Sequence, residues 1–159
     1  MNYLDEYNRW LNSSFTDDKT KEELRAIKDE EEIKDRFYKS LEFGTAGLRG
    51  IIGAGTNRMN IYTVSKTAFA IGQVILKKNL KEKGIVIARD VRHKSEEFER
   101  ISAEIFANLG IKTYVFDSIR PTPMLAYAVR YLKTAAGVMV TASHNPKVYN
   151  GYKVYGPKG

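Results

Sequence analysis

The 159-residue chain has no cysteine. That excludes disulfides and thiolate metal sites, and it suits a reducing cytoplasm. No apolar run is long enough to cross a bilayer, and the first residues, Met1-Asn2-Tyr3-Leu4-Asp5-Glu6, lack the basic-then-apolar pattern of an export signal. Internal repeats and low-complexity tracts are absent too. What remains is ordinary for a soluble globular chain: 43% apolar and 28% charged residues, at a length that suits about one domain with a real core.

The net charge of +7 is unevenly distributed. Residues 1–42 hold 12 acidic and 8 basic side chains, whereas residues 43–159 hold 7 acidic and 18 basic. A basic body suits nucleic acid or small phosphorylated ligands. The lysines and arginines are dispersed, however, with no basic helix and no aromatic-basic motif of the RNA-binding kind, which weighs against nucleic acid.

Hydrophobic spacing predicts two charged amphipathic helices over 3–12 and roughly 18–38, with Asp17-Asp18 as cap and first-turn acids. They form an N-terminal appendage, residues 1–42. The glycine-rich stretch Gly44 to Gly55 separates it from the body, residues 43–159. There, Ile61, Val64, Ala68, Ile71 and Ile75 predict a helix over 61–80, and Ile85-Val86-Ile87-Ala88 a buried strand. A helix capped by Ser95 ends at Leu109, with Gly110 as its left-handed terminator. A strand over 112–116, a helix over 122–132 and a strand over 136–140 follow. The alternation predicts a three-layer α/β/α domain with a mainly parallel mixed sheet.

In open α/β sheets, ligands bind beyond the carboxyl ends of the strands. Asp90 to His93, Asp117 to Pro123 and Thr141 to Pro146 leave such ends, so Ser143 and His144 stand where a site is expected. A bare turn would ask only for Asn, Gly and Pro. A hydrolytic triad is disfavoured, because neighbours in an extended segment point apart and no G-x-S-x-G elbow surrounds Ser143. His93 is the only other histidine. A phosphoryl group carried on Ser143 would instead need cations around it and a group to take a proton from the attacking hydroxyl. Lys153 lies ten residues on, and Asn150-Gly151 is expected to turn the chain so that it folds back.

The run "TASHNP…NGYK" (141–153) resembles the phosphoserine loop of the α-D-phosphohexomutase superfamily, the phosphoglucomutases and phosphomannomutases. "FGTAGLRG" (43–50) is similar to that family's N-terminal signature, "ARDVRHKS" (88–95) to its second-strand segment, and "PTPM" (121–124) to the loop before its third helix. The acidic N-terminal helices with Trp10 most resemble the phosphoglucomutase/phosphopentomutase branch. The resemblance implies that Ser143 is phosphorylated and exchanges its phosphoryl group with a sugar phosphate and a sugar bisphosphate intermediate. It implies Lys153 as general acid/base, Arg49 as the cation facing the phosphoserine, and His144 and Thr45 as further substrate contacts. Mg²⁺ is the implied cofactor, with the phosphate on Ser143 as one ligand. The family has four domains, so the resemblance also implies that this chain is the first of them. On that reading it lacks the D-x-D-G-D-R metal loop and the sugar-specificity loop, and its partner is the rest of its own chain.

Two other readings compete. "IIGAGTNRM" (51–59) imitates the start of a dinucleotide fingerprint, but Arg58 occupies the third glycine position and no acid ends a strand about 20 residues on. A catalytically silent phosphate- or nucleic-acid-binding domain is the other alternative, and phosphorylation of Ser143 discriminates it.

Overall fold

In chain order the elements are α1 (Tyr3–Asn12), α2 (Asp18–Arg25), α3 (Glu30–Phe37), β1 (Gly47–Ile51), α4 (Ile61–Lys77), β2 (Ile85–Arg89), α5 (Ser95–Asn108), β3 (Thr113–Val115), α6 (Thr122–Tyr131), β4 (Ala136–Val140) and β5 (Tyr149–Tyr155). They are those of a computed structural model that describes residues 2–45 and 47–159. The sheet order is β1-β5-β4-β2-β3. Strands β3, β2 and β4 run parallel, while β5 is antiparallel to both β4 and β1. The α/β class with a mixed sheet is therefore as the sequence predicts.

Strand alternation sorts the side chains between two helical layers. Ile85, Ile87, Val138, Val140 and Tyr152 share a core with Val64 and Ala68 of α4 and Phe98 and Phe106 of α5. Val86, Ala88 and Met139 point the other way, against Leu125, Ala128 and Val129 of α6. Fully buried Phe106 anchors the first layer, and its truncation to Ala would cost about 3–5 kcal/mol. Trp10, Leu24, Phe37 and Ala54 form a third cluster, which joins α1–α3 to the loop after β1.

The 18–38 segment forms two helices rather than one. Asp29 takes an extended conformation, accepts from the Glu31 N–H, and starts α3 with Glu30, Glu31 and Glu32 in its first turn. Three acids are favourable at a helix N-terminus and have no such benefit in mid-helix. Ser95 does not cap α5 either. Lys94, at φ 65°, precedes the helix without a side-chain cap, and the Ser95 hydroxyl donates to Asp90 Oδ1 at 3.1 Å. Gly110, at φ 73°, does terminate α5: its N–H reaches Ala107 O and the Ile111 N–H reaches Phe106 O. Asn79 and Lys133 end α4 and α6 by the same pair of bonds, at φ 56° each.

The glycine-rich separator contains a strand, β1. Within it, Gly47 faces Lys153 of β5 so closely that a Cβ would lie 1.9 Å from Tyr152 O. The Gly53-x-Gly55 pair serves packing against α3: a Cβ on Gly55 would sit 2.7 Å from Arg36 O. Asn150-Gly151 is not a turn but part of the first half of β5. Buried Asn150 donates to His93 O and Ser95 Oγ, while its Oδ1 accepts from the Gly151 N–H, a local side-chain bond that holds an extended backbone in place of a hairpin.

Candidate active site

Lys153 follows Tyr152 along β5, and their side chains take opposite faces. Tyr152 is buried on the α5 side, where its hydroxyl donates to Ser102 Oγ at 2.8 Å and burial raises its pKa far above the ordinary tyrosine value. Lys153 therefore projects on the α6 side, where α6 itself packs on β2 and β4. Directly opposed residues of an antiparallel pair share a face, so Arg49, opposite Gly151, lies on the same side as Lys153. Arg49 is exposed, and among the described residues no acid pairs with it. Ser143 enters from the loop after β4. Lys153 Nζ donates to Ser143 Oγ at 2.5 Å across ten residues of sequence.

Ser143 adopts φ 55°, a left-handed conformation that serine rarely takes. Such conformations cost of order 1–3 kcal/mol and persist only where neighbours hold them. Here the Ser143 N–H donates to Thr141 Oγ1, and the Thr141 hydroxyl donates to Asp90 Oδ2. The Ser143 carbonyl accepts from Arg92 Nη2. Asp90 and Arg92 both lie within ARDVRHKS, a motif that by itself assigns neither a role. An acid and an arginine two residues apart at a strand end, beside the polar loop that leaves the neighbouring strand, are the available signal.

His144 and Thr45 are both exposed, and among the described residues neither side chain makes a hydrogen bond. Thr45 lies in the turn between Gly44 and Gly47, at the Lys153 end of β1. The hydroxyl partner of Ser143 is a lysine rather than His93, whose described contact is a backbone carbonyl bonded by Asn150. The Asp117 segment stays at its own strand end, where Arg120 Nη2 pairs with Asp117 Oδ1 at 2.8 Å.

For Mg²⁺, which the family resemblance implies, the residues present do not make a site of their own. No cluster of three or more acids or histidines suited to a metal occurs among the described residues. Asp90, the carboxylate beside the loop, already accepts from Thr141, Ser95 and the Arg92 N–H. Among the described residues, no helix is long and apolar enough to cross a membrane.

A model of the family described as phosphoglucomutase/phosphomannomutase, alpha/beta/alpha domain I, matches residues 40–159. A phosphoglucomutase of Staphylococcus haemolyticus is 50% identical over 123 residues, which are 77% of this chain and 22% of that protein. A phosphopentomutase of Mus musculus is 42% identical over 95% of this chain and 26% of its own length. In structure the chain is similar to a Thermus thermophilus protein assigned as a phosphomannomutase, with a TM-score of 0.67 and 35% identity over 75% of this chain and 26% of that one. The chain thus spans about a quarter of the length of the curated relatives it matches.

Proposed function

This chain belongs to the phosphoglucomutase/phosphomannomutase family through its α/β/α domain I, and on that premise we propose that it is the phosphoryl-carrying domain of a cytoplasmic phosphosugar mutase. Residues 1–42 are its helical extension and residues 43–159 the domain that bears the phosphoserine loop, a division supported by the span of the family match. The substrates are a sugar monophosphate and the corresponding bisphosphate, with the phosphoryl group moving between the 1- and 6-positions of a hexose or the 1- and 5-positions of a pentose.

Ser143 Oγ carries the phosphoryl group. A sugar hydroxyl attacks the phosphorus, the P–Oγ bond breaks, and the sugar bisphosphate forms. The bisphosphate then returns its other phosphoryl group to Ser143 and leaves as the isomeric monophosphate. Lys153 acts as the acid/base partner: it takes the proton that the attacking hydroxyl loses and supplies it to Oγ as the P–Oγ bond breaks, with the reverse on return. Arg49, on the same face, adds positive charge where charge develops on the transferring group. The 2.5 Å contact between Lys153 Nζ and Ser143 Oγ is the observation that carries this reading. His144 and Thr45 stand at the rim as substrate contacts. Mg²⁺ would take one ligand from the phosphate on Ser143 and most of the others from the family's second domain.

The test is a coupled assay of glucose 1-phosphate conversion with Mg²⁺ and a bisphosphate activator. The full-length protein should turn over, Ser143→Ala should not, and residues 1–159 alone should be inactive, because one loop cannot assemble the whole charge-stabilised transition state. Full activity in Ser143→Ala, or turnover by residues 1–159 at the full-length rate, contradicts the proposal.

A further inference from the structure

Both backbone polar groups of Ser143 end on one acid–base pair. Its N–H reaches Asp90 through Thr141, at 3.0 Å and then 2.5 Å. Its carbonyl accepts from Arg92 Nη2 at 2.7 Å. The two charged residues are themselves joined: Arg92 Nε lies 3.6 Å from Asp90 Oδ2, and the Arg92 N–H donates to Asp90 Oδ1 at 2.9 Å. The same guanidinium spans the rest of the loop, donating to Asn145 O at 2.7 Å, Pro146 O at 3.0 Å and Tyr149 O at 3.1 Å.

We propose that Arg92 is a positioning residue that sets the reach of Ser143 Oγ, an inference that rests on Ser143 being the phosphoryl carrier. A guanidinium has four Nη hydrogens, and here three loop carbonyls and that of Tyr149, the first residue of β5, take them, while Nε faces Asp90. No Nη donor is left for a phosphate, which separates Arg92 from exposed Arg49. The arginine side chain is only 13% exposed, as a group engaged on the protein side would be. A lysine could not replace it: an ammonium offers three donors from one point and cannot span acceptors on both sides of a planar fork. Because Ser143 sits in a left-handed conformation that serine does not hold unaided, releasing its carbonyl lets the hydroxyl move away from Lys153.

The experiment uses Arg92→Lys and Thr141→Val in the full-length protein, with two readouts. One is amide hydrogen exchange over residues 141–149, and the other is the single-turnover rate of Ser143 phosphorylation by a sugar bisphosphate. Arg92→Lys should speed exchange across the loop and slow phosphorylation about a hundredfold, the cost of roughly an ångström of misplacement, with KM and melting temperature little changed. Thr141→Val should speed exchange at the Ser143 amide in particular. The inference is overturned if Arg92→Lys phosphorylates at the wild-type rate, if the rate falls with loop exchange unchanged, or if the whole fold is lost. A wild-type protein that takes no phosphate on Ser143 contradicts the carrier assignment instead, and the exchange arm still decides whether Arg92 holds the loop.

Discussion

Lys153 meets Ser143 because β5 runs back antiparallel beside β4, so that residues ten apart in sequence return to one sheet edge. The pairing is set by register. Val140 faces Tyr152 and Met139 faces Lys153, and a slip of one residue would exchange the faces of Tyr152 and Lys153. Buried Tyr152, bonded to Ser102, holds that register from the α5 side.

If the proposed transfer holds, Lys153→Ala and Arg49→Ala should each lower kcat of the full-length protein about a hundredfold or more, the scale of a lost acid/base or charge-stabilising group. Neither side chain is buried in the core, so circular dichroism and melting should stay close to wild type. Unfolding in either variant would point to a structural role instead.

Gly47 should tolerate no side chain. At φ 136°, with Tyr152 O 1.9 Å from where a Cβ would stand, Gly47→Ala must move β1 off β5 and carry Arg49 with it. Urea unfolding should show a loss of about 1–3 kcal/mol, the usual cost of a forced backbone conformation, together with reduced activity. Unchanged stability would mean that β1 is not held against β5 as described.

Acid should loosen the N-terminal helices through Asp17. Burial pushes its carboxyl pKa up, but hydrogen bonds from the Thr20 and Tyr62 hydroxyls and the Thr20 N–H outweigh it, so the net shift is downward from 3.8. A depressed carboxylate stabilises above its unfolded pKa, and that contribution is lost as pH falls below 3.8 through the lower folded value. Trp10, the single tryptophan, packs edge-on against Tyr62 with ring centroids 5.1 Å apart and reports the change. Asp17→Asn should remove the acid-dependent part of the Trp10 fluorescence transition. The same transition in wild type and variant would show that another group controls it.

The helices and central strands were legible because their apolar residues recur at strict intervals, as Val64, Ala68 and Ile75 do. Three features were not. Asp29 starts a new helix inside a run that reads as continuous, since a cap competes with periodicity only through local backbone bonds. β1 and β5 are rich in glycine and polar residues, and they gain their strand character from each other across a hundred residues of sequence. Asn79 and Lys133 terminate helices at positive φ where only Gly110 could be foreseen, because the left-handed terminator elsewhere carries a side chain. For the site, Ser143, Lys153 and Arg49 could be named through the resemblance, and the antiparallel register puts Lys153 against Ser143 and sets Arg49 on the same face. Asp90 and Arg92 escaped because their partners are a side-chain hydroxyl and backbone carbonyls, which no residue pattern announces.

Whether Ser143 carries the phosphoryl group can be read by peptide mass spectrometry of the active full-length protein. One phosphate should be found within residues 141–153, assigned by fragmentation to Ser143 and lost when the protein is incubated with sugar monophosphate in excess. Phosphate found only outside that segment, or none in fully active enzyme, would contradict that role for Ser143.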